Sequence, residues 1–103
     1  MTNEKEKQQE VAKENDSNVI FIGKKATMSY VLAVMTQFNK GSKQVTLKAR
    51  GKTISKAVDV AQIAINRFLN EVRIQDIKIS TEELTAEDGK KSRISAMEIV
   101  LVK

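Results

Sequence analysis

The amino-acid sequence predicts an α/β fold, more closely an α+β two-layer sandwich with the element order β-α-β-α-β-β. In this fold a four-stranded mixed sheet carries two helices on one face, and the hairpin of the last two strands protrudes. Two stretches repeat apolar residues at helical spacing, and four have the β-branched or alternating composition of strands. Strands separated by a helix lie parallel and hairpin strands antiparallel, so the predicted sheet is mixed.

The first predicted strand and helix lie between residues 18 and 41. The β-branched and aromatic run NVIFIG, residues 18–23, predicts a buried strand. In the following stretch Thr27 is the expected N-cap of a helix, and Gly41 occupies the stop position at its end. The apolar side chains of this helix recur at helical spacing and predict its buried face: Met28, Val31, Leu32, Met35 and Phe38.

A second strand and a longer helix follow. The alternating stretch QVTLKAR, residues 44–50, predicts a strand with one apolar face and with Lys48 and Arg50 together on the other. Residues 53–70 repeat apolar side chains at helical spacing and predict the longest helix of the chain. Its apolar surface is broader than one narrow stripe, which indicates that part of it faces a partner.

The next stretch, VRIQDIKIS, changes its alternation part-way along. Val72 and Ile74 share one parity, whereas Ile77 and Ile79 have the other. This change predicts either a β-bulge or a strand that begins near Gln75.

The last strand and the turn before it complete the hairpin. Residues 99–102 are apolar on both faces, which places this end of the strand inside the sheet. Asp88-Gly89 is a turn signal in the middle of the mostly polar residues 81–93. These residues predict a two-stranded arm that stands out from the body.

Length and composition bound the chain to one small domain. It has 103 residues, of which the polar residues 1–17 predict a mobile tail and residues 18–103 a folded domain. The absence of Cys and His removes thiolate nucleophiles, imidazole bases and Cys/His metal sites. The chain contains no long apolar run and no signal-peptide core, so we expect a soluble, cytoplasmic protein without a membrane partner. With three Phe, one Tyr and no Trp its core is thin, and dimerisation is the expected supplement.

Positive charge is concentrated in one half of the chain. The formal net charge is +5, yet residues 17–58 contain eight basic residues and no acidic one. A solvated surface normally mixes both signs, so this segment predicts a surface that binds a polyanion.

The stretch KARGKTIS, residues 48–55, ends in the Gly-Lys-Thr of a nucleotide-binding loop, but its spacing argues against one. Such a loop requires glycine at position 46, where this chain has Thr46, and the strand pattern continues up to Arg50. The same region suits backbone phosphates, because long cations surround the N-terminus of the following helix. We therefore expect phosphate contacts from Lys24, Lys25, Lys48, Arg50, Lys52 and Lys56.

The arm and the aromatic residues allow further predictions. Lys90, Lys91 and Arg93 form its cationic side, which either grips a groove or phosphates, or only solubilises an exposed hairpin. The carboxylate pairs at 82–83 and 87–88 are interpreted as solvated charges rather than acid/base groups.

Phe21, Tyr30 and Phe38 are predicted as core residues, which disfavours a stacking platform for single strands. Phe68 is either a core residue or a contact between subunits.

Three stretches of the chain together form a recognisable pattern: NVIFIGKKATMSYVLAVMTQFNKG, VTLKARGKTISKAVDVAQIAINRFL and EDGKKSRISAMEIVLVK. In their order and with nearly matching spacing, they closely resemble the Alba family of archaeal chromatin and RNA-binding proteins. The resemblance covers essentially residues 18–103. It implies the same β-α-β-α-β-β fold, homodimers or heterodimers with a paralogue, and sequence-independent binding of double-stranded DNA and RNA.

The resemblance also implies roles for individual residues. The family's lysine pair falls on Lys24 and Lys25, and acetylation of a lysine there would regulate binding. Its loop cations fall on Lys48, Arg50 and Lys52, and its arm cations on Lys90 and Arg93. Its contact between dimers stacked along DNA falls on Phe68. The chain departs from the family pattern at Ala26, Lys52 and Ile65, and Lys52 keeps the charge of an arginine without its forked hydrogen bonds.

The expected function is therefore that of a chromosome-associated dimer that coats and compacts duplex DNA and binds RNA. We expect no catalysis, cofactor, metal or small-molecule substrate. The alternative is an RNA-binding subunit of a ribonucleoprotein, in RNA processing or translation. An enzyme on an α/β sandwich is the third alternative, but these residues do not assemble a catalytic centre.

Overall fold

The computed structural model describes residues 18–103, and the predicted tail, residues 1–17, lies outside the described residues. The described elements confirm the predicted order and fold class. In chain order they are β1 (Val19–Phe21), α1 (Thr27–Asn39), β2 (Gln44–Arg50), α2 (Ile54–Ile63), β3 (Arg73–Thr85) and β4 (Lys91–Val102). A 3₁₀ turn, Gly51–Thr53, precedes α2, and a π-helical turn, Ala64–Phe68, extends it.

The four strands form one mixed sheet with the order β1-β2-β4-β3. β1 and β2 are parallel, while β4 pairs antiparallel with both β2 and β3. Both helices cover the side of the sheet that carries Val45, Leu47 and Ala49, which we call the helix face. Lys48 and Arg50 alternate with these residues and lie on the opposite side, the open face. The sheet therefore has one side in the core and one side in contact with solvent.

The prediction for the start of α1 is wrong, and the prediction for its end is confirmed. Ala26 is the N-cap residue and Thr27 is already helical, so Thr27 is not the cap that the sequence predicted. At the other end Gly41 has a φ of 106°, and its N–H donates to the carbonyl of Phe38. The N–H of Ser42 donates to the carbonyl of Gln37, which completes a Schellman motif.

The buried side of α1 matches the predicted one only in part. Val31 and Phe38 are buried and Met35 is partly buried, as predicted, whereas Met28 and Leu32 are exposed although they share the helical repeat. Leu32 lies about 100° around the helix from the fully buried Val31, which carries its side chain out of the core. The apolar stripe of α1 is therefore wider than the sheet beneath it.

A β-bulge near the start of β3 explains the change of parity in the sequence. Ile74 pairs with Leu101 and Asp76 with Val100, so Gln75 is the extra residue. The bulge returns Ile77, the partner of Ile99, to the helix face that Ile74 also shares. The strand begins at Arg73 rather than near Gln75, so the bulge is the correct one of the two predicted alternatives.

The last two strands continue past the body as the predicted arm, residues 81–93. Pairing runs to Thr85 opposite Lys91, and the N–H of Ala86 donates to the carbonyl of Lys90 across the turn. Gly89 takes a φ of 86°, which is the left-handed conformation that such a turn requires. Side chains along the arm are exposed, and partly buried side chains of β4 begin at Ile94, next to the body.

Candidate nucleic-acid interface

The loop between β1 and α1, residues 23–26, presents Lys24 and Lys25, and we call it the lysine loop. Its backbone is held from the side of α1 by the Tyr30 hydroxyl. This oxygen accepts hydrogen bonds from the N–H of Gly23 at 2.9 Å and from the N–H of Lys25 at 3.1 Å. A hydroxyl oxygen has two lone pairs, so one buried side chain satisfies both donors.

Lys56, in the first turns of α2, holds the same loop from the other side. Its Nζ donates to the carbonyl of Gly23 at 2.9 Å and to that of Lys25 at 2.8 Å. The ammonium also lies 5.9 Å from the centre of the Tyr30 ring, within the range of a cation–π interaction. The sequence placed Lys56 among the phosphate contacts; in the structure two of its three N–H donors are used by the loop.

The lysine loop therefore has a fixed backbone and free side chains. The ammonium of Lys56 binds two of its carbonyls, and the hydroxyl of Tyr30 binds two of its N–H groups. The side chains of Lys24 and Lys25 are exposed. Because β1 and β2 are parallel, the loop lies at the same end of the sheet as Arg50 and Lys52. Cations that are far apart in the sequence thus meet at one edge.

Lys48 and Arg50 form ion pairs that the sequence did not predict. The Nζ of Lys48 lies 3.5 Å from Glu98 Oε2, and the Nη1 of Arg50 lies 3.2 Å from Glu82 Oε1. All four side chains are about half exposed, so each pair contributes little to stability. Their importance is electrostatic, because two cations of the predicted site already have carboxylate partners. Cross-strand register would have revealed them, but it is not visible in the sequence.

The short turn after β2 joins this edge to the base of the arm. Gly51 has a φ of 58°, and a Cβ at this position would lie 2.9 Å from Ile94 Cδ1 on β4. The hydroxyl of Thr53 donates to the carbonyl of Arg50 at 2.8 Å, which closes the turn. Lys52 lies between them and is exposed. The backbone conformation favours glycine here, and a Cβ at this position would also displace the Ile94 side chain.

The arm cations lie apart from those of the loops. Lys91 and Arg93 alternate with the open-face residue Glu98, so the pleat directs them to the other side of the ribbon. Lys90 is in the turn, where its N–H donates to Asp88 Oδ1 at 3.0 Å. All three cations are exposed. The structure thus brings Lys24, Lys25, Arg50 and Lys52 to one edge but leaves the arm cations as a second group.

The structure contradicts the prediction for Phe21 among the aromatic residues. Tyr30 and Phe38 are buried as predicted, but Phe21 is 71% exposed. The apolar run around it conceals a strict alternation, in which Ile20 and Ile22 face the core and Phe21 lies on the open face. Phe68, at the end of the π-helical turn, is 44% exposed, so it is not a fully buried core residue.

Two other kinds of site are absent from residues 18–103. Within this range neither helix is long and apolar enough to cross a membrane. The same residues contain no cluster of three His, Cys, Asp or Glu side chains that could hold a metal ion.

Known proteins are similar to this chain in sequence and in fold. A family model described as Alba matches residues 18–81, which is more than half of the chain. The chain belongs to the Alba family. A relative from Methanocella arvoryzae, "DNA/RNA-binding protein Alba", is 56% identical over 86 residues, covering 84% of this chain and 90% of that protein. "DNA/RNA-binding protein Alba 1" of Archaeoglobus fulgidus is 55% identical over 86 residues, covering 84% and 96%.

Solved structures of the Alba family agree in fold. Alba from Thermoplasma volcanium superimposes with a TM-score of 0.78 at 50% identity, covering 82% of this chain and 99% of that one. ALBA1 from Trypanosoma brucei has a TM-score of 0.65 at 23% identity and is similar in fold alone. The resemblance found in the residues and the predicted fold are both confirmed.

Proposed function

We propose that this chain binds double-stranded DNA and RNA through their backbone phosphates, without reading sequence, and is associated with the chromosome. The observation that carries the proposal is the lysine loop, whose backbone is fixed while Lys24 and Lys25 remain exposed beside Arg50 and Lys52. Long cations at one edge suit a row of phosphates, where affinity comes from released counterions. The printed names of the archaeal relatives support the same function.

The proposal divides the cations into two roles. Lys24, Lys25, Arg50 and Lys52 contact phosphates directly at the edge, joined by Lys48, while Lys56 fixes the loop. Lys90, Lys91 and Arg93 extend the contact along the duplex from the arm. Acetylation at Lys24 or Lys25 would remove a positive charge without disturbing the backbone hydrogen bonds, and so would weaken binding.

The proposed active form is a dimer, with an identical copy or with a paralogue. Support comes from β3, where Ile74, Ile77 and Ile79 lie on the helix face beyond the cover of the helices. Ile79 is 77% exposed, and the three side chains continue the core surface on the same side of the sheet. A second copy that covers this strip would supplement the thin core and double the number of cations. Phe68, half exposed at the end of the π-helical turn that extends α2, is the proposed contact between dimers along a duplex.

A salt titration tests the proposal. Binding of the full chain to random-sequence duplex DNA and duplex RNA of equal length is measured by fluorescence anisotropy from 50 to about 300 mM salt. We expect log affinity to fall linearly with log salt, with a slope near 0.9 per neutralised phosphate for DNA. The variant Lys24→Ala/Arg50→Ala should bind both duplexes more weakly and with a shallower slope.

The matched control is Lys40→Ala/Lys43→Ala, which removes the same charge from the opposite end of β2, where both side chains are exposed. It should change affinity much less than the double substitution at the edge. Equal losses of affinity in the two variants would mean that net charge, and not the position of the cations at the edge, determines binding. Unchanged duplex affinity in Lys24→Ala/Arg50→Ala contradicts the proposal, and a strong preference for one structured RNA over random duplexes would favour a ribonucleoprotein subunit instead.

A further inference from the structure

The open face of the sheet carries an exposed phenyl ring in a row of charged side chains. Phe21 pairs with Lys48, Lys48 with Glu98, and Glu98 with Lys78, so these four residues form a line across β1, β2, β4 and β3. Phe21 is 71% exposed and stands at the edge strand. Single exposed apolar side chains are common on protein surfaces, so the groups that surround this one decide what it can bind.

The surroundings of Phe21 suit a nucleotide. Paired strands lie about 4.8 Å apart, which places the Lys48 backbone next to that of Phe21, and Glu98 holds the Lys48 ammonium on the same face. In the other direction the lysine loop begins two residues after Phe21. A base stacked on the ring would therefore have cations on two sides for its phosphates. Stacking on aromatic rings beside cationic grooves is how proteins commonly hold unpaired bases.

We propose that Phe21 is a stacking platform for an unpaired base of RNA, with Lys48 and the lysine loop as its phosphate contacts. This inference rests on the proposed function and adds to it a second site, on the open face, for single-stranded segments. A base paired within a duplex offers no free face to the ring, so this site distinguishes unpaired from paired nucleic acid. The apolar strip on β3 proposed for the dimer lies on the helix face, which leaves the open face accessible.

Charge and composition favour RNA over the two other occupants of this face. Residues 1–17 precede β1 directly and have a net negative charge, but they contain no aromatic side chain to stack on the ring. A second copy packed here would take Lys48, Glu98 and Lys78 out of water, which is costly for charged side chains. An RNA strand supplies both a planar base and a phosphate.

The substitution Phe21→Leu tests the platform because it keeps an apolar side chain and removes the aromatic face. Affinities of the full chain for a mixed-sequence single-stranded RNA of about 12 nucleotides, within the range of site sizes that one small domain covers, and for duplex DNA are measured side by side. We expect the single-strand affinity to fall roughly 5- to 100-fold, as for the loss of one stacked base, and the duplex affinity to change by less than about two-fold. Leu32→Ala, an exposed apolar position on α1, is the control and should affect neither.

Phe21→Trp gives a direct signal, since the natural chain has no tryptophan. The single-stranded RNA should quench its fluorescence and protect it from acrylamide, while duplex DNA should not. A tryptophan already protected without RNA at every protein concentration would mean that the chain's own terminus covers the ring. Protection that increases with protein concentration would mean that a second copy does. Either result overturns the inference, as does unchanged single-strand affinity in Phe21→Leu.

The two proposals can fail separately. Loss of the platform with normal, salt-dependent duplex binding would overturn only the stacking site. If the wild-type chain binds no duplex, but single strands still quench the tryptophan fluorescence of the Phe21→Trp variant, the proposed duplex function is overturned and the platform is kept.

Discussion

Lys24 and Lys25 lie in a loop whose backbone is held by side chains of both helices. Lys90, Lys91 and Arg93 lie instead on a two-stranded ribbon that extends beyond the body. The lysine loop is tied by four hydrogen bonds to Tyr30 and Lys56. The arm is held by its own ladder and by the bond to Asp88 in its turn. The same type of cation is therefore presented from a fixed support in one region and from a solvated support in the other.

This difference has consequences for binding. A fixed backbone leaves only side-chain freedom to be lost when phosphates bind, so the lysine loop is suited to affinity. A hairpin without a packed face is marginally stable by itself and bends more readily. The arm is therefore suited to reach, and we expect it to adapt to duplexes of different groove shape.

The largest expected effect concerns Gly51, where the basic edge touches the base of the arm. Gly51→Ala forces a Cβ into a left-handed backbone and against Ile94, so we expect a loss of about 1 to 3 kcal/mol in the free energy of unfolding from the backbone alone. Gly89→Ala is the matched control, since its φ is also positive but the space around it is open. Urea unfolding should show Gly51→Ala to be the more destabilised, by about 0.5 to 1.5 kcal/mol.

Replacement of Ile94 sharpens this result. In the Gly51→Ala background, Ile94→Val removes the Cδ1 atom that the new methyl group would meet. The second substitution should recover the stability that Gly51→Ala loses in excess of Gly89→Ala. Equal losses at the two glycines would show that the basic edge and the arm are not joined tightly at this contact.

The next effect separates the support of the loop from its charge. Lys56→Met keeps the aliphatic stem but removes both hydrogen bonds to the loop carbonyls, and should lower the free energy of unfolding by about 1 to 2 kcal/mol. Lys52→Met removes the same charge from an exposed side chain and should leave stability within about 0.5 kcal/mol of wild type. Thermal or urea unfolding of the two variants measures the difference. Equal stabilities would mean that Lys56 does not hold the loop.

A smaller effect is expected from Tyr30→Phe. The ring stays in the core, but the N–H groups of Gly23 and Lys25 lose their acceptor, at a cost of about 0.5 to 1.5 kcal/mol. Hydrogen exchange at these two amides should become faster, while exchange at arm amides such as Ala86 stays unchanged. Faster exchange throughout the chain would indicate general destabilisation rather than release of the loop.

The smallest effect concerns the carboxylate beside Arg50. Glu82→Gln frees the guanidinium for phosphates, and we expect duplex affinity to rise about two- to five-fold at low salt, with little change in stability. Asp59→Asn is the control with the same change of charge, since Asp59 is exposed on α2, away from the edge and the arm. If both variants gain equally, the cause is net charge rather than release of Arg50 at the edge.

Local patterns predicted much of the fold. The alternation of residues 44–50 matches β2 residue for residue, Gly41 ends α1 as predicted, and the parity change in β3 is the bulge at Gln75. These features depend on neighbours within a few positions along the chain. The wrong prediction for Phe21 has the same origin, since an unbroken apolar run does not show how many of its faces the sheet will cover.

Sequence alone determined the order of elements, the hairpin, the family and the acid-free basic half of the chain, because periodicity and charge are properties of neighbouring residues. Tertiary structure decided how those cations are used. Lys56 reaches a loop 31 to 33 positions away, and Arg50 meets Glu82 through a register that spans β4. The exposure of Phe21 likewise depends on its place at the edge of the sheet. Contacts between distant segments exist only once the strands have paired, so no local pattern contains them.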